Sequence, residues 1–142
     1  MSSGGDYAVM STKSGGEAPG KLRSYGDSLR LFNEAVDLLS KVRDDNWREI
    51  MGEVLRKLLQ ALILLKGGGF RPPSDLTYLA AQALEIGAID DKLFALIVEA
   101  NLTLNNYSRS GRNFIVEVTS ALLERAAQLD PYLSQQMLLF RY

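Results

Sequence analysis

Residues 47–69 read WREIMGEVLRKLLQALILLKGGG, and their spacing decides the fold. Trp47, Met51, Val54, Leu55, Leu58, Leu62 and Leu65 recur at three- and four-residue steps, which puts them on one face of an α-helix. Arg48, Glu49, Glu53, Arg56 and Lys57 fall mostly on the opposite side. Gly67-Gly68-Gly69 predicts the stop, because glycine enters the left-handed conformation that closes a helix without a Cβ penalty. The segment GGGFRPPS, residues 67–74, is not a phosphate-binding loop. It follows a helix instead of a strand and lacks the downstream Lys-Ser/Thr pair.

The same period extends in both directions. Between Lys21 and Arg43, Leu29, Phe32, Val36 and Leu39 form one stripe, with Leu31, Ala35, Leu38 and Val42 on its flank. Two adjacent stripes predict packing on more than one neighbour. Asp44-Asp45-Asn46 breaks this helix and offers a cap before Trp47. Downstream, Ser74 is the expected cap of a third helix, with Asp75 in its first turn and Leu76, Leu79, Ala80, Ala83 and Leu84 inward. Gly87 ends it. Asp90 or Asp91 starts a fourth helix through Leu93, Phe94, Ile97 and Leu104. A further helix runs from about Gly111 to Gln128, with Phe114, Ile115, Val118, Leu122 and Leu129 inward. Asp130-Pro131 interrupts it and opens a terminal helix carrying Leu133, Met137 and Phe140. Nothing alternates with period two, and no internal repeat is visible. The expected fold is all-α: an up-and-down helical bundle of four main helices plus short helices over residues 21–142. Residues 1–20, rich in Gly and Ser, read as a flexible N-terminal arm.

Composition narrows the chemistry. A chain of 142 residues fits one domain, and at roughly two-thirds surface burial it needs no disulfide or metal staple. The formal net charge of −1 gives no general attraction for nucleic acid or an anionic membrane. Without cysteine there is no thiolate chemistry. Without histidine the commonest metal ligand and the one side chain that titrates unaided near neutrality are both missing. Any acid–base step would need a shifted Glu, Asp, Lys or Tyr. The N-terminal residues hold no apolar run long enough for a signal peptide, and ALILL, residues 61–65, is too short to span a bilayer. No cofactor, no metal and no membrane are therefore expected, and a cytoplasmic location is.

Residues 100–108, ANLTLNNYS, are the unusual part, with three asparagines and a tyrosine at the end of the fourth helix. Together with Pro73-Ser74, Ala80-Ala81, Gly87-Ala88-Ile89-Asp90-Asp91 and Asn101-Leu102-Thr103, they give the chain a pattern that resembles the HEPN superfamily. The closest resemblance is to its small nucleotidyltransferase substrate-binding subunits. The pattern covers about two-thirds of the chain, and its sharpest part is some twenty residues. The resemblance implies a helical bundle that dimerises. In that family, an arginine followed five positions later by a histidine cleaves RNA without metal, often with a tyrosine two residues further on. A partner nucleotidyltransferase can adenylylate that tyrosine.

Carried onto this sequence, the Arg position is Ala100, the next Asn is Asn101, the His position is Asn105 and the Tyr is Tyr107. Both reactive side chains are missing. An asparagine amide exchanges no proton near pH 7, and an alanine holds no phosphate. At about 100° per residue, positions 100 and 105 lie roughly 140° apart on a helix, whereas 100 and 107 lie within about 20°. Asn101 and Asn105, four apart, face the same way. Asn105, Asn106, Tyr107, Arg109 and Arg112 remain candidates for nucleotide or phosphate contacts. Against that, Arg109 and Arg112 could pair with acidic neighbours, and Tyr107 could pack its ring and hydrogen-bond its hydroxyl.

The expected function is a non-catalytic interaction module: a homodimer that binds a minimal nucleotidyltransferase partner, or the partner's nucleotide or RNA substrate. One alternative is a HEPN-type ribonuclease toxin with a site rearranged around Tyr107, Arg109 and Arg112. Another is a stand-alone oligomeric scaffold that has lost activity, for which the missing cysteine and Arg-Glu-rich helix faces would fit heat adaptation.

Overall fold

In the computed structural model, residues 17–70, 75–107 and 110–132 are described, with side chains from Tyr25 onward. The expected terminal helix with Leu133, Met137 and Phe140, most of the N-terminal arm, Ser74 and Arg109 lie outside the described residues. Among the described residues five helices follow in order: α1 (Glu17–Leu39), α2 (Trp47–Leu65), α3 (Leu76–Glu85), α4 (Asp91–Leu104) and α5 (Arg112–Leu129), and after the break at Asp130 residues 131–132 are helical again. Among the described residues there is no strand, and no helix is long and apolar enough to cross a membrane. The chain is an all-α helical bundle.

Helix α1 is helical from Glu17, the first described residue, which lies four residues before the Lys21 predicted from its apolar period. Side chains then set the next boundaries. Asp75, not Ser74, is the N-cap of α3, its carboxylate accepting the Tyr78 N–H at 2.8 Å. Asp90 does the same for α4, accepting the Leu93 N–H at 2.8 Å. Asn46 precedes α2 but its side chain caps nothing there. Instead it closes the α1–α2 turn: its Oδ1 accepts the Arg43 N–H at 2.6 Å and its Nδ2 donates to the Lys41 carbonyl at 3.2 Å.

The stops at Gly67 and Gly87 fall as expected. Both glycines have positive φ, +81° and +79°. After each, the next residue reaches back across the helix end: Gly68 N–H to the Ile63 carbonyl at 2.9 Å, and Ala88 N–H to the Ala83 carbonyl at 2.8 Å. With the shorter Gly67-to-Leu64 and Gly87-to-Leu84 bonds, each end forms a Schellman motif.

Helix α2 is the axis of the bundle and touches all four other helices. This corrects the single-face reading. Met51, Val54, Leu55, Leu58 and Leu62 are buried, but so are Gly52, Leu59, Ala61 and Ile63 on other sides, while Leu65 and Trp47 are only partly buried. A helix surrounded by neighbours hides more than one stripe, and each fully buried Leu or Ile contributes about 1.5–3 kcal/mol.

Helix α1 packs chiefly on α2, with Phe32 and Ala35 in the hydrophobic core. The buried Ser28 hydroxyl donates to the Ala61 carbonyl at 2.9 Å, and Lys57 bridges to Glu34 at 2.8 Å. Among the described residues α2 is the one extensive neighbour of α1, and Leu29, Val36, Leu38, Leu39 and Val42 are partly buried against the core. The ends of α5 are tied back toward α1. Arg112 meets Asp44 of the α1–α2 turn at 2.8 Å, and the Tyr25 phenol faces the Asp130 carboxylate. Those two ties place α5 antiparallel to α1.

Candidate functional site

The ANLTLNNYS segment is the last turn of α4 and its exit. Ala100 has no exposed surface and belongs to the hydrophobic core with Ile97 and Leu93. Thr103 is also buried, and its hydroxyl donates to the Glu99 carbonyl one turn back at 2.9 Å. Asn101 is half-buried and Asn105 exposed. They do face each other, as their spacing predicts. The Asn105 side-chain amide donates to the Asn101 carbonyl at 2.8 Å and approaches its Oδ1 at 3.3 Å.

The helix does not run on to Tyr107. It ends at Leu104, Asn105 is its C-cap, and Asn106 turns left-handed with φ +64°. The Tyr107 N–H then reaches the Leu102 carbonyl at 2.8 Å, and the Asn106 N–H reaches the Thr103 carbonyl at 3.2 Å. This is the Schellman closure of α2 and α3, made with asparagine where they use glycine. Asparagine is the residue after glycine that best tolerates that backbone. The predicted alignment of positions 100 and 107 on one face therefore fails. Ala100 points into the core, and Tyr107, beyond the helix, is 80% exposed. The reading in which Tyr107 packs its ring fails with it.

After residues 108 and 109, outside the described residues, the chain returns at Ser110, whose hydroxyl meets the Glu99 carboxylate at 3.1 Å. Gly111 stands at the N-cap of α5 and Arg112 in its first turn. Arg112 takes the acidic-neighbour alternative, with its Nη1 on Asp44. Of the named residues, then, Asn101, Asn105, Asn106 and Tyr107 are brought together at one helix end. Ala100 is turned away, and Arg112 is engaged elsewhere. Among the described residues there is no group of His, Cys, Asp and Glu able to hold a metal ion. The described residues of this helix end can present hydrogen-bonding amides and a phenol to a partner.

A cleft lies at the other end of α4. It has a volume of about 730 Å³ between the α3–α4 turn, the first turns of α4 and the C-terminal half of α5. Ile89, Leu93, Leu96 and Ala121 supply its apolar wall, and Arg125 stands on its rim. Sequence reasoning missed it. The available signal was Arg125 itself, a guanidinium beside the Leu122–Ala126 stripe of α5. Comparison with known protein families, curated proteins and solved structures gives no match to this chain.

Proposed function

We propose that this chain is a non-catalytic helical interaction module of HEPN-like type. It would dimerise and bind a minimal nucleotidyltransferase, or the nucleotide or RNA substrate of that enzyme. The observation that carries the non-catalytic part is Ala100. The position corresponding to the family arginine has no exposed surface and lies in the core, so no phosphate can be held there. Asn105, at the histidine position, closes a helix end and has no proton to exchange near neutral pH. Purified protein incubated with structured and single-stranded RNA in EDTA is expected to leave it intact. Cleavage abolished by Arg112→Ala would overturn this in favour of a rearranged nuclease site.

The interaction part is supported by what the same helix end exposes, Leu102 at 39% and Tyr107 at 80%. An uncovered tyrosine ring next to an uncovered leucine is the kind of anchor a protein partner buries. Co-purification with a small nucleotidyltransferase encoded beside this chain is the expected result, weakened by Tyr107→Ala. Failure of the two to associate at micromolar concentration removes the reading. Exposure also leaves the Tyr107 hydroxyl open to nucleotidylation. Mass spectrometry after incubation with that enzyme and ATP would then show one added nucleotide, lost in Tyr107→Phe.

A further inference from the structure

Arg125 is held in an unusual way. Its Nε donates to the Ala88 carbonyl at 2.7 Å, its Nη2 to the Gly87 carbonyl at 3.1 Å and its Nη1 to the Gln128 side-chain oxygen at 3.2 Å. All three partners are neutral, and none of the ion pairs among the described residues includes it. A guanidinium has five N–H groups. The turn carbonyls take the Nε side of the fork, which leaves one N–H on each terminal nitrogen. These two N–H groups are left to donate to an anion. The side chain is fixed before any ligand arrives, so little rotamer freedom is lost on binding.

The cleft beside it has the complementary shape. Ile89 and Leu93 form a floor that is 2% and 8% exposed, and Leu96 and Ala121 continue the wall. Its volume of about 730 Å³ is in the range of small-molecule sites. Asp90 and Glu124 also line it, balanced in number by Lys92 and Arg125. The Asp90 carboxylate accepts the Leu93 N–H, which directs it into the helix end. Two carboxylates nearby disfavour a doubly charged ligand such as a phosphate monoester, whereas a single negative charge can be met by the oriented fork.

From this geometry we propose that the cleft binds a medium-chain carboxylic acid, its carboxylate on the Arg125 fork and its alkyl tail along Ile89, Leu93, Leu96 and Ala121. The site is independent of the ANLTLNNYS helix end.

The test is a two-dimensional amide NMR titration of the full chain with octanoate, octan-1-ol, octylammonium and octyl phosphate. Octanoate is expected to give saturable shifts at Leu93, Leu96, Ala121 and Arg125. Octan-1-ol should bind about tenfold more weakly or worse, since it lacks the charge that strengthens the hydrogen bonds. Octylammonium and octyl phosphate should be weaker still. Ala121→Trp fills the cleft while leaving the Arg125 contacts in place, and Arg125→Gln keeps the shape while removing the charge. Both should reduce octanoate binding about tenfold with the helical circular dichroism unchanged. The proposal is overturned if octan-1-ol binds as tightly as octanoate, if the shifts map elsewhere, or if no saturable shift appears below the onset of octanoate micelles. The ligand series uses the unaltered protein and therefore decides the question even where a variant does not fold.

Discussion

The Asn105 side-chain amide donates to the Asn101 carbonyl at 2.8 Å, and the residue just before Asn101 in the chain is the fully buried Ala100. A cap on the surface and a core contact beneath it thus occupy the two positions that the proposed HEPN-like reading assigns to the arginine and the histidine. Restoring those reagents should fail for a packing reason. Ala100→Arg forces a charged side chain into a filled core and should cost about 3 kcal/mol or more, seen as loss of the cooperative thermal transition. Asn105→His alone should fold normally and still leave RNA uncut. A folded, RNA-cleaving Ala100→Arg/Asn105→His variant would show that the core at Ala100 can open.

Asn106 closes α4 at φ +64°. Asn106→Gly should leave stability unchanged or raise it by a few tenths of a kcal/mol, and Asn106→Ala should lower it by about 1 kcal/mol, because alanine has neither glycine's freedom nor asparagine's local hydrogen bonding. Urea melts of the two variants measure the difference. Equal stability would mean that the chain leaves α4 by another path.

Glu34 accepts from Lys57 at 2.8 Å and from Arg30 at 3.0 Å, and Lys57 first, then Arg30, holds its carboxyl below the ordinary 4.5. The folded state therefore binds this proton less readily than the unfolded chain. The resulting stability is complete above pH 4.5 and is lost as the pH falls through the lowered folded value. Glu34 is 40% exposed, which limits the effect to about 1 kcal/mol at most. The stability gap between the parent and Glu34→Gln should narrow from neutral pH to pH ~3. A constant gap would mean that the pair contributes nothing.

At the alkaline end, burial of the Tyr25 phenol and its hydrogen bond to Asp130 push its pKa up from 10.0 to about 12. Here the folded state keeps the proton more firmly than the unfolded chain. The contribution is present below pH 10 and disappears as the pH rises toward 12. Tyr25→Phe should remove that part of the alkaline stability loss, which paired melts at pH 9 and about 11.5 would reveal.

The helix ends were legible wherever local stereochemistry dictates them. Gly67 and Gly87 sit at the left-handed positions their residue type predicts. The end of α4 uses the same geometry without glycine. There the asparagines resemble a worn catalytic motif in sequence, and the Asn106 backbone makes them a cap. Periodicity found one face of α2 but not Leu59, Ala61 or Ile63, because it cannot say how many neighbours a helix has. The cleft was invisible because it depends on Gly87 and Arg125 meeting across 38 positions of sequence. Trp47, expected in the core, is only partly buried, and the Arg48 guanidinium lies 4.4 Å from its ring centre.

Among the described residues, helix α1 reaches the rest of the bundle mainly through α2, with polar ties toward α5 at Tyr25 and at the α1–α2 turn. Its attachment is therefore separable from the closed set formed by α2, α3, α4 and α5. In native-state hydrogen exchange such an element behaves as its own cooperative unit. The amides of α1 should exchange through an opening that costs less than global unfolding, while those of α2 report the full stability of the domain. When α1 lifts, it uncovers Ala61, which Ser28 holds at present, and the apolar side chains around it on the central helix. Helix α1 would thus act as a shutter over the central helix, nine of whose residues are buried.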